Sequence, residues 1–386
     1  MASELPSNLW AQAAQRANAM TAAGQEPRRH HLVPRFYLDR WADRGRVRVV
    51  DLWEGRRAFE LSPERAAIET DFYRFEEPVD GVSPVFWEVW LSVVEERASL
   101  AFDRIEGEGL ASMNSDDHEW LALFLAVQLV RSRTDRVLRR HMFVQELVTL
   151  RDFDGPENAV QALAASGSAY VPADAKQFDA DIARFLADPV EVPLTREEDL
   201  RAMAHLATSI APLLLTRHMA MYFTERAIIT CDEPVVELHE YMGAPAFWSG
   251  VWGAPIFAFP FNPRAVLLLY RKDLRIPLEP GSTLTTSEGV DLASVVLANA
   301  YRYAFGRHGD RLAEKLFLPD SPVAVRSERF LVEDKSTTYR FQTVRRWHGK
   351  ADAPVRPGGR VWPRNVPEAP QPTSEEKAAM EEWSRQ

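Results

Sequence analysis

The stretch WLALFLAVQLV, residues 120–130, is apolar on every side when wound at 3.6 residues per turn. A helix of this kind cannot face water, so the rest of the chain has to enclose it. With 386 residues and 46% hydrophobic content, the chain has enough material to do so. Asp116 reads as the start of this helix, with Glu119 three residues on as a capping box of the Asp type. Gln128 is the polar side chain caught inside. A buried amide left unpaired costs about 1–3 kcal/mol, so a polar partner is expected. Arg131, three residues on, lies on the same face, and the two read as a polar pocket at the inner end of the helix.

Residues 7–22 read as a short helix opened by Ser7 and closed by Gly24. From Pro84 to Ile105, residues such as Phe86, Val89, Trp90, Val94 and Phe102 recur at helical spacing and predict an amphipathic helix. Residues 151–194 are alanine-rich with scattered Gly and Pro, and read as a helical insertion or cap. Thr195 and Glu198 box the start of a helix running towards Leu215, with Pro212 predicting a kink.

Elsewhere the period is two. RVRVVDLW (46–53) and RAFEL (57–61) flank Glu54-Gly55 as a hairpin, and AIITCDEPVVEL (227–238) reads as strand, turn, strand. IFAFPF (256–261) and AVLLLY (265–270) form a second hairpin about Asn262-Pro263-Arg264. Val290 to Gly306 returns to helix, and 323–347 adds late strands, TYRFQTVRRW being the clearest. The sum is an α+β protein, mostly helical with a modest, mainly antiparallel sheet. It divides into an N-terminal helix (1–27), a core (28–310) carrying the insertion near 151–194, late strands packed on the core (311–350), and a proline-rich tail (351–386) with a short charged helix from Ser374. One domain with an insertion and two packed lobes both satisfy this pattern.

The balance of 46 basic to 56 acidic residues, net −10, excludes a surface that is wholly a nucleic-acid footprint. Two basic islands nevertheless stand out: nine arginines against four acids from Arg28 to Arg57, and five against Asp135 from Arg131 to Arg140. Arginine grips phosphate or carboxylate in two places at once; a GC-rich genome would enrich it as well. Cys231 is the single cysteine, which excludes an intrachain disulfide and suits a reducing cytoplasm. The N-terminus lacks the pattern of a signal peptide, and no window of about 18 apolar residues predicts a membrane span.

HHLVPRFYLDRWA (30–42), TDFYRF (70–75), Glu95, LAVQLVRS (125–132), IITCDEPVV (228–236), FPFNPRAVLLL (259–269) and the helix of Asn299 follow one another in an order that resembles the bacterial domain of unknown function 4238 family. The resemblance spans roughly residues 28–310 and rests on several ordered motifs. Cys231 stands where that family reads serine in Thr-Ser-Asp-x-Pro, so no role for a hydroxyl there carries over. The resemblance implies a shared fold and no established activity.

His30 and His31 would point to opposite faces of an extended strand, so one of them can serve a given site. Neither has the H-x-x-x-H or H-E-x-x-H spacing of a metal pair. One reading makes them hydrogen-bonding residues of a structural strap; the other makes one a general acid or base, with Arg35 holding an anionic group. Asp232 sits past an apolar strand, where a catalytic carboxylate or a turn-initiating Asp fits equally. Glu95 is solvated at a helix edge or pairs with Arg131 across helices. Cys231, without a basic neighbour in sequence, reads as core. Trp41, Trp53 and Trp347 lie near charges and could stack on bases. No phosphate-cradling or dinucleotide glycine motif and no G-x-S-x-G occurs, so no nucleotide cofactor is expected.

Two functions follow. One is a hydrolase acting on a phosphate-bearing substrate, nucleic acid included, through His30 or His31 and Asp232, with Arg35, Gln128 and Arg131 binding substrate and the acids orienting the histidine or recruiting a divalent metal. The other is a binding or regulatory protein in which the same residues form a buried network tying the strap to the helices.

Overall fold

The computed structural model describes residues 5–75, 82–166, 168, 170–188, 191–238, 251, 254–272, 274, 279–316, 325–332 and 335–342. The tail from 343 onward, and with it the helix expected from Ser374, lies outside the described residues. The chain forms two compact units, one from Met1–Ser132 and Met203–Ser321, the other from Arg133–Ala202 and Pro322–Arg345.

The first unit begins with α1 (Leu5–Ala22), β1 (Arg29–His31), α2 (Arg35–Asp39), the hairpin β2 (Val47–Asp51) and β3 (Arg57–Leu61), and β4 (Ile68–Thr70). α1 runs through Ser7 rather than starting there. Its end is as expected: Gly24 takes φ +67°, a left-handed turn that glycine enters without a Cβ penalty, and the Gln25 N–H reaches back to the Met20 carbonyl.

Two antiparallel helices follow, α3 (Phe86–Glu108) and α4 (Ser115–Val130). The ion pairs Glu95–Arg131 and Arg104–Asp117 tie them at opposite ends. α4 is buried all round, as its composition requires. Its cap is placed two residues earlier than expected: Asn114 accepts from the Asp117 N–H, and the Asp117 carboxylate accepts from the Asn114 N–H. Asp116 instead accepts from the Trp120 indole at 3.1 Å, which removes it from capping.

The second unit holds α5 (Arg133–Asp154), α6 (Pro156–Ser166), α7 (Ala175–Ala187) and the first turns of α8 (Arg196–Leu215), around Val144, Leu147, Phe178, Ile182 and Phe185. The box at α8 forms as read, with Glu198 accepting from the Thr195 N–H at 2.7 Å.

Back in the first unit, β5 (His218–Thr224), β6 (Thr230–Cys231), β7 (Val236–Leu238), β8 (Ile256–Asn262), β9 (Ala265–Tyr270) and β10 (Thr283–Leu284) lead to α9 (Thr286–Asn299), β11 (Tyr303–Arg307) and α10 (Leu312–Lys315). One sheet is ordered β3-β2-β11-β6 and is wholly antiparallel; the other, β10-β5-β9-β8-β7, is antiparallel but for the β10–β5 edge. β6 and β7 therefore follow each other in sequence but enter different sheets. The helix expected over 290–306 starts earlier, at a Thr285/Glu288 capping box, and stops at Asn299, where the chain turns into β11. The late strands form a hairpin, β12 (Val325–Val332) with β13 (Lys335–Gln342), grouped with the second unit. The fold is α+β.

The four-stranded and five-stranded sheets of the first unit meet at the strap, residues 30–38, whose β1 pairs with β4 in a small sheet of its own. Tyr37 and Leu38 are buried, and the half-buried Phe36 ring lies 5.4 Å from both Phe102 and Phe124. The fully buried Tyr37 hydroxyl donates to the Pro260 carbonyl on β8 at 2.5 Å and lies 2.6 Å from the Thr230 hydroxyl on β6. One phenol thus holds both sheets. Tyr37→Phe leaves two buried polar groups without this partner and is expected to lower unfolding stability by about 1–3 kcal/mol, measured by urea denaturation.

Candidate functional site

Arg131 caps the C-terminus of α4 and is 3% exposed. Its side chain donates to the Tyr73 hydroxyl at 3.0 Å, to Glu95 at 2.8 Å, and to the main-chain carbonyl of His31. The guanidinium also lies over the Tyr73 ring, 5.4 Å from its centroid. Burial works against its charge, while Tyr73 and Glu95 hold the proton on. Glu95 is raised by burial, with Arg131 opposing. The pairing of Glu95 with Arg131 across helices, read from sequence as one option, is the one realised.

β1 places the two histidines as the alternation predicts, His30 buried and His31 half-buried. The Tyr73 N–H donates to His30 Nδ1 at 2.7 Å, so Nε2 carries the proton and donates to the Pro27 carbonyl at 3.2 Å. Both nitrogens serve the backbone, which leaves no lone pair for proton transfer. His31 Nε2 donates to the Glu64 carbonyl at 3.2 Å. Burial lowers the His31 pKa, helped by Arg131, Arg35 and Arg29 and opposed by the Glu64 bond. Arg35 is 58% exposed and faces Asp39 at 3.6 Å, one turn on.

Gln128 is buried, at 3% exposure, but the expected polar partner is not there: among the described residues neither Oε1 nor Nε2 makes a hydrogen bond. Arg131, one turn away, spends its donors on Tyr73, Glu95 and His31. Glu88, seven residues before Glu95 on the same helix, has no hydrogen bond among the described residues. Burial and the charge of Glu95 push it up to about 7 against the pull of Arg131. Helical spacing from Glu95 could have marked Glu88 in the sequence; Tyr73 lay inside TDFYRF without any cue to its role.

Asp232 has its bonds elsewhere. Its carboxylate accepts from the N–H groups of Tyr301, Arg302 and Tyr303 at 2.8–3.0 Å, pinning the turn into β11. Burial and Glu233 push it up to about 7, and those three donors oppose the shift. The bonded backbone lies about 70 residues away in the chain, not in the local turn that a turn-initiating Asp would bond. Cys231 is buried and donates to the Glu233 carbonyl at 3.1 Å, as a core thiol does. Trp53 is 39% exposed, but Arg302 lies over its ring, 5.5 Å from the centroid.

The basic islands are largely matched by acids. Arg28 meets Asp71, Arg40 meets Asp103 and Glu106, and Arg48 meets Glu60 and Glu314. In the second unit, Arg139 meets Asp135 and Asp199, and Arg140 meets Asp199. Among the described residues no group of three or more His, Cys, Asp or Glu is placed to hold a metal ion, and no helix is long and apolar enough to cross a membrane.

Asp232→Ala strands three backbone N–H groups and is expected to cost about 2–4 kcal/mol in chemical denaturation. Glu88 gives a pH signature. Its folded value of about 7 lies above the ordinary 4.5, so its contribution is full below pH 4.5 and is lost as pH rises through 7. Glu88→Gln removes that titration. Between pH 5 and 8 the melting temperature of the variant is expected to fall less than that of the wild type, by about 2–4 °C in a thermal scan.

No match was found among curated proteins or among solved structures. A family model, described as a protein of unknown function (DUF4238), matches residues 29–310. That span takes in the strap, the α3–α4 pair, the second unit's helices and both sheets, and the chain therefore belongs to the DUF4238 family.

Proposed function

We propose that this is a non-enzymatic binding or regulatory protein in which the polar residues of the strap form a structural network. One observation carries the reading: Arg131, the residue best suited to grip phosphate, already donates to Tyr73, Glu95 and the His31 carbonyl. The acid partners of the other arginines and the two backbone bonds of His30 support it. A cytoplasmic location in a bacterial cell is part of the proposal, supported by the lone buried cysteine and by the family resemblance.

A second reading, a hydrolase acting on a phosphate-bearing substrate or nucleic acid, is favoured by Glu88. It is a half-buried carboxyl that burial and the charge of Glu95 push up to about 7, a value suited to proton transfer near neutral pH.

Thermal denaturation with inorganic phosphate, a nucleotide panel and short single- and double-stranded nucleic acids separates the two. The first reading predicts an unchanged melting temperature with all of them. It also predicts that Arg131→Met costs about 3–5 kcal/mol, because Glu95 loses its cation. A saturable upward shift with one phosphate-bearing ligand, abolished in a still-folded Arg131→Met, contradicts the first reading and supports the second.

A further inference from the structure

We propose that the outer edge of β5 and the cavity beside it form a groove for an extended segment of a partner protein, taken up as an added β-strand with an uncharged apolar side chain seated in the cavity. This gives the binding reading its site and rests on that reading.

The register of the sheet leaves the edge open. In the order β10-β5-β9-β8-β7, β10 pairs only with Phe223 and Thr224 at the end of β5. The Thr224 N–H donates to the Arg264 carbonyl beside β9, so the even-numbered residues of β5 bond β9 and the odd-numbered ones face outward. Two outward groups are met: the Gly281 N–H donates to the Met221 carbonyl at 2.8 Å, and the Phe223 N–H donates to the Ser282 carbonyl at 3.0 Å. The Met219 N–H and carbonyl and the Met221 N–H make no hydrogen bond among the described residues. Donor, acceptor and donor in a row on an extended strand match the main chain of another extended strand. Free edges are commonly blunted by lysine or proline, and the run from His218 to Met221 contains neither.

A cavity lies along that edge. Phe102 of α3 stacks on Phe261 of β8 with ring centroids 4.4 Å apart, which lays the helix over one face of the sheet. Where α3 ends, a cavity of about 1040 Å³ opens between its last turn, the α3–α4 connection and β5. Four consecutive residues, His218 to Met221, line it; alternate side chains point to opposite faces, so the cavity reaches the edge of the strand as well as its face. Ile105, Leu110, Ala111, Met219, Met221 and Phe261 give it apolar walls, and the exposed Leu215 and Phe223 flank it. Its two fully charged side chains are spent, Glu106 on Arg40 at 3.2 Å and on the Asn262 amide at 3.3 Å, Arg217 on the carbonyls of Val251 and Ala254. Of its histidines, His118 is bonded to the Asn114 carbonyl at 2.7 Å and His218 lies against the Tyr270 ring. A cavity whose full charges are already matched suits an uncharged apolar side chain and not a phosphate.

Fluorescence anisotropy of dye-labelled heptapeptides Lys-Thr-Xaa-Thr-Xaa-Thr-Lys, with Xaa varied through every residue but cysteine, reads the groove on the full chain. Saturable binding is expected where Xaa is Leu, Ile, Val, Met or Phe and not where it is Asp, Glu, Lys or Arg, and the bound peptide is expected to slow hydrogen exchange at residues 218–222. Met219→Pro removes an outward donor at an edge, where a strand accepts proline, and Ala111→Trp fills the cavity from an exposed position. Each is expected to weaken binding about tenfold with the melting temperature held. If Met219→Pro folds poorly, Ala111→Trp and a peptide N-methylated at its central threonine carry the same test. No saturable binding by any peptide, affinity indifferent to Xaa, or binding undiminished in the folded variants overturns the groove. Concentration-dependent self-association in sedimentation, abolished by Met219→Pro, assigns the edge to a second copy and overturns it too. Those failures leave the Arg131 network standing on its own Arg131→Met test, whereas a thermal shift with a phosphate-bearing ligand, lost in Arg131→Met, overturns the binding reading itself.

Discussion

A buried guanidinium cannot shed its proton at any pH a protein survives, so the structure around Arg131 has to be built to meet its donors. Here the acceptors come from three separate places: Glu95 on α3, the Tyr73 hydroxyl after β4, and the His31 carbonyl in the strap. Each makes sense only if the others are in place. The apolar helix α4 fixes where the cation emerges, α3 must lie antiparallel to bring Glu95 opposite it, and the strap must cross the end of the pair. Removing the cation would leave a largely buried carboxylate uncompensated, and that penalty makes the arrangement specific.

The same logic recurs at the sheets. Tyr37 bridges β6 and β8 through one hydroxyl, and Asp232 collects three backbone N–H groups at the turn into β11. Asn299 donates to the carbonyls of Glu233 and Val235, closing the far side of that segment. In each case a polar side chain supplies what the secondary structure leaves unmet at a junction. Tyr37, Arg131, Asp232 and Asn299 thus share a physical task, which is to satisfy buried backbone or charge where elements change direction. Gln128 is the exception, a buried amide without a hydrogen bond among the described residues.

What the sequence revealed was whatever depends on local pattern. The all-apolar run at 120–130 predicted its own burial, the two hairpins followed from alternation around Gly55 and Asn262, and the Thr195/Glu198 box marked the start of α8. Capping at α4 was misplaced because two acids compete there, and Asp116 is taken up by the Trp120 indole. The 290–306 segment has an apolar pattern that fits helix throughout, and the break at Asn299 comes from long-range bonds to Glu233 and Asp232 that no local window contains. The same limit applied to the site. Glu95 with Arg131 was legible as an option because both residues sit at helix positions that could face each other. Asp232, grouped with the histidines by residue type, has its bonding partners about 70 residues further along the chain.

The structural network requires Arg131 and Glu95 to act as one unit holding the strap to the helices. A double-mutant cycle on Arg131→Met and Glu95→Gln, read by urea denaturation at pH 6, tests it most directly. The predicted result is a strong coupling of about 2 kcal/mol, with the double variant more stable than the sum of the two losses would leave it. Additive losses, within about 0.5 kcal/mol, would contradict it and return Arg131 to the list of groups free to serve a ligand.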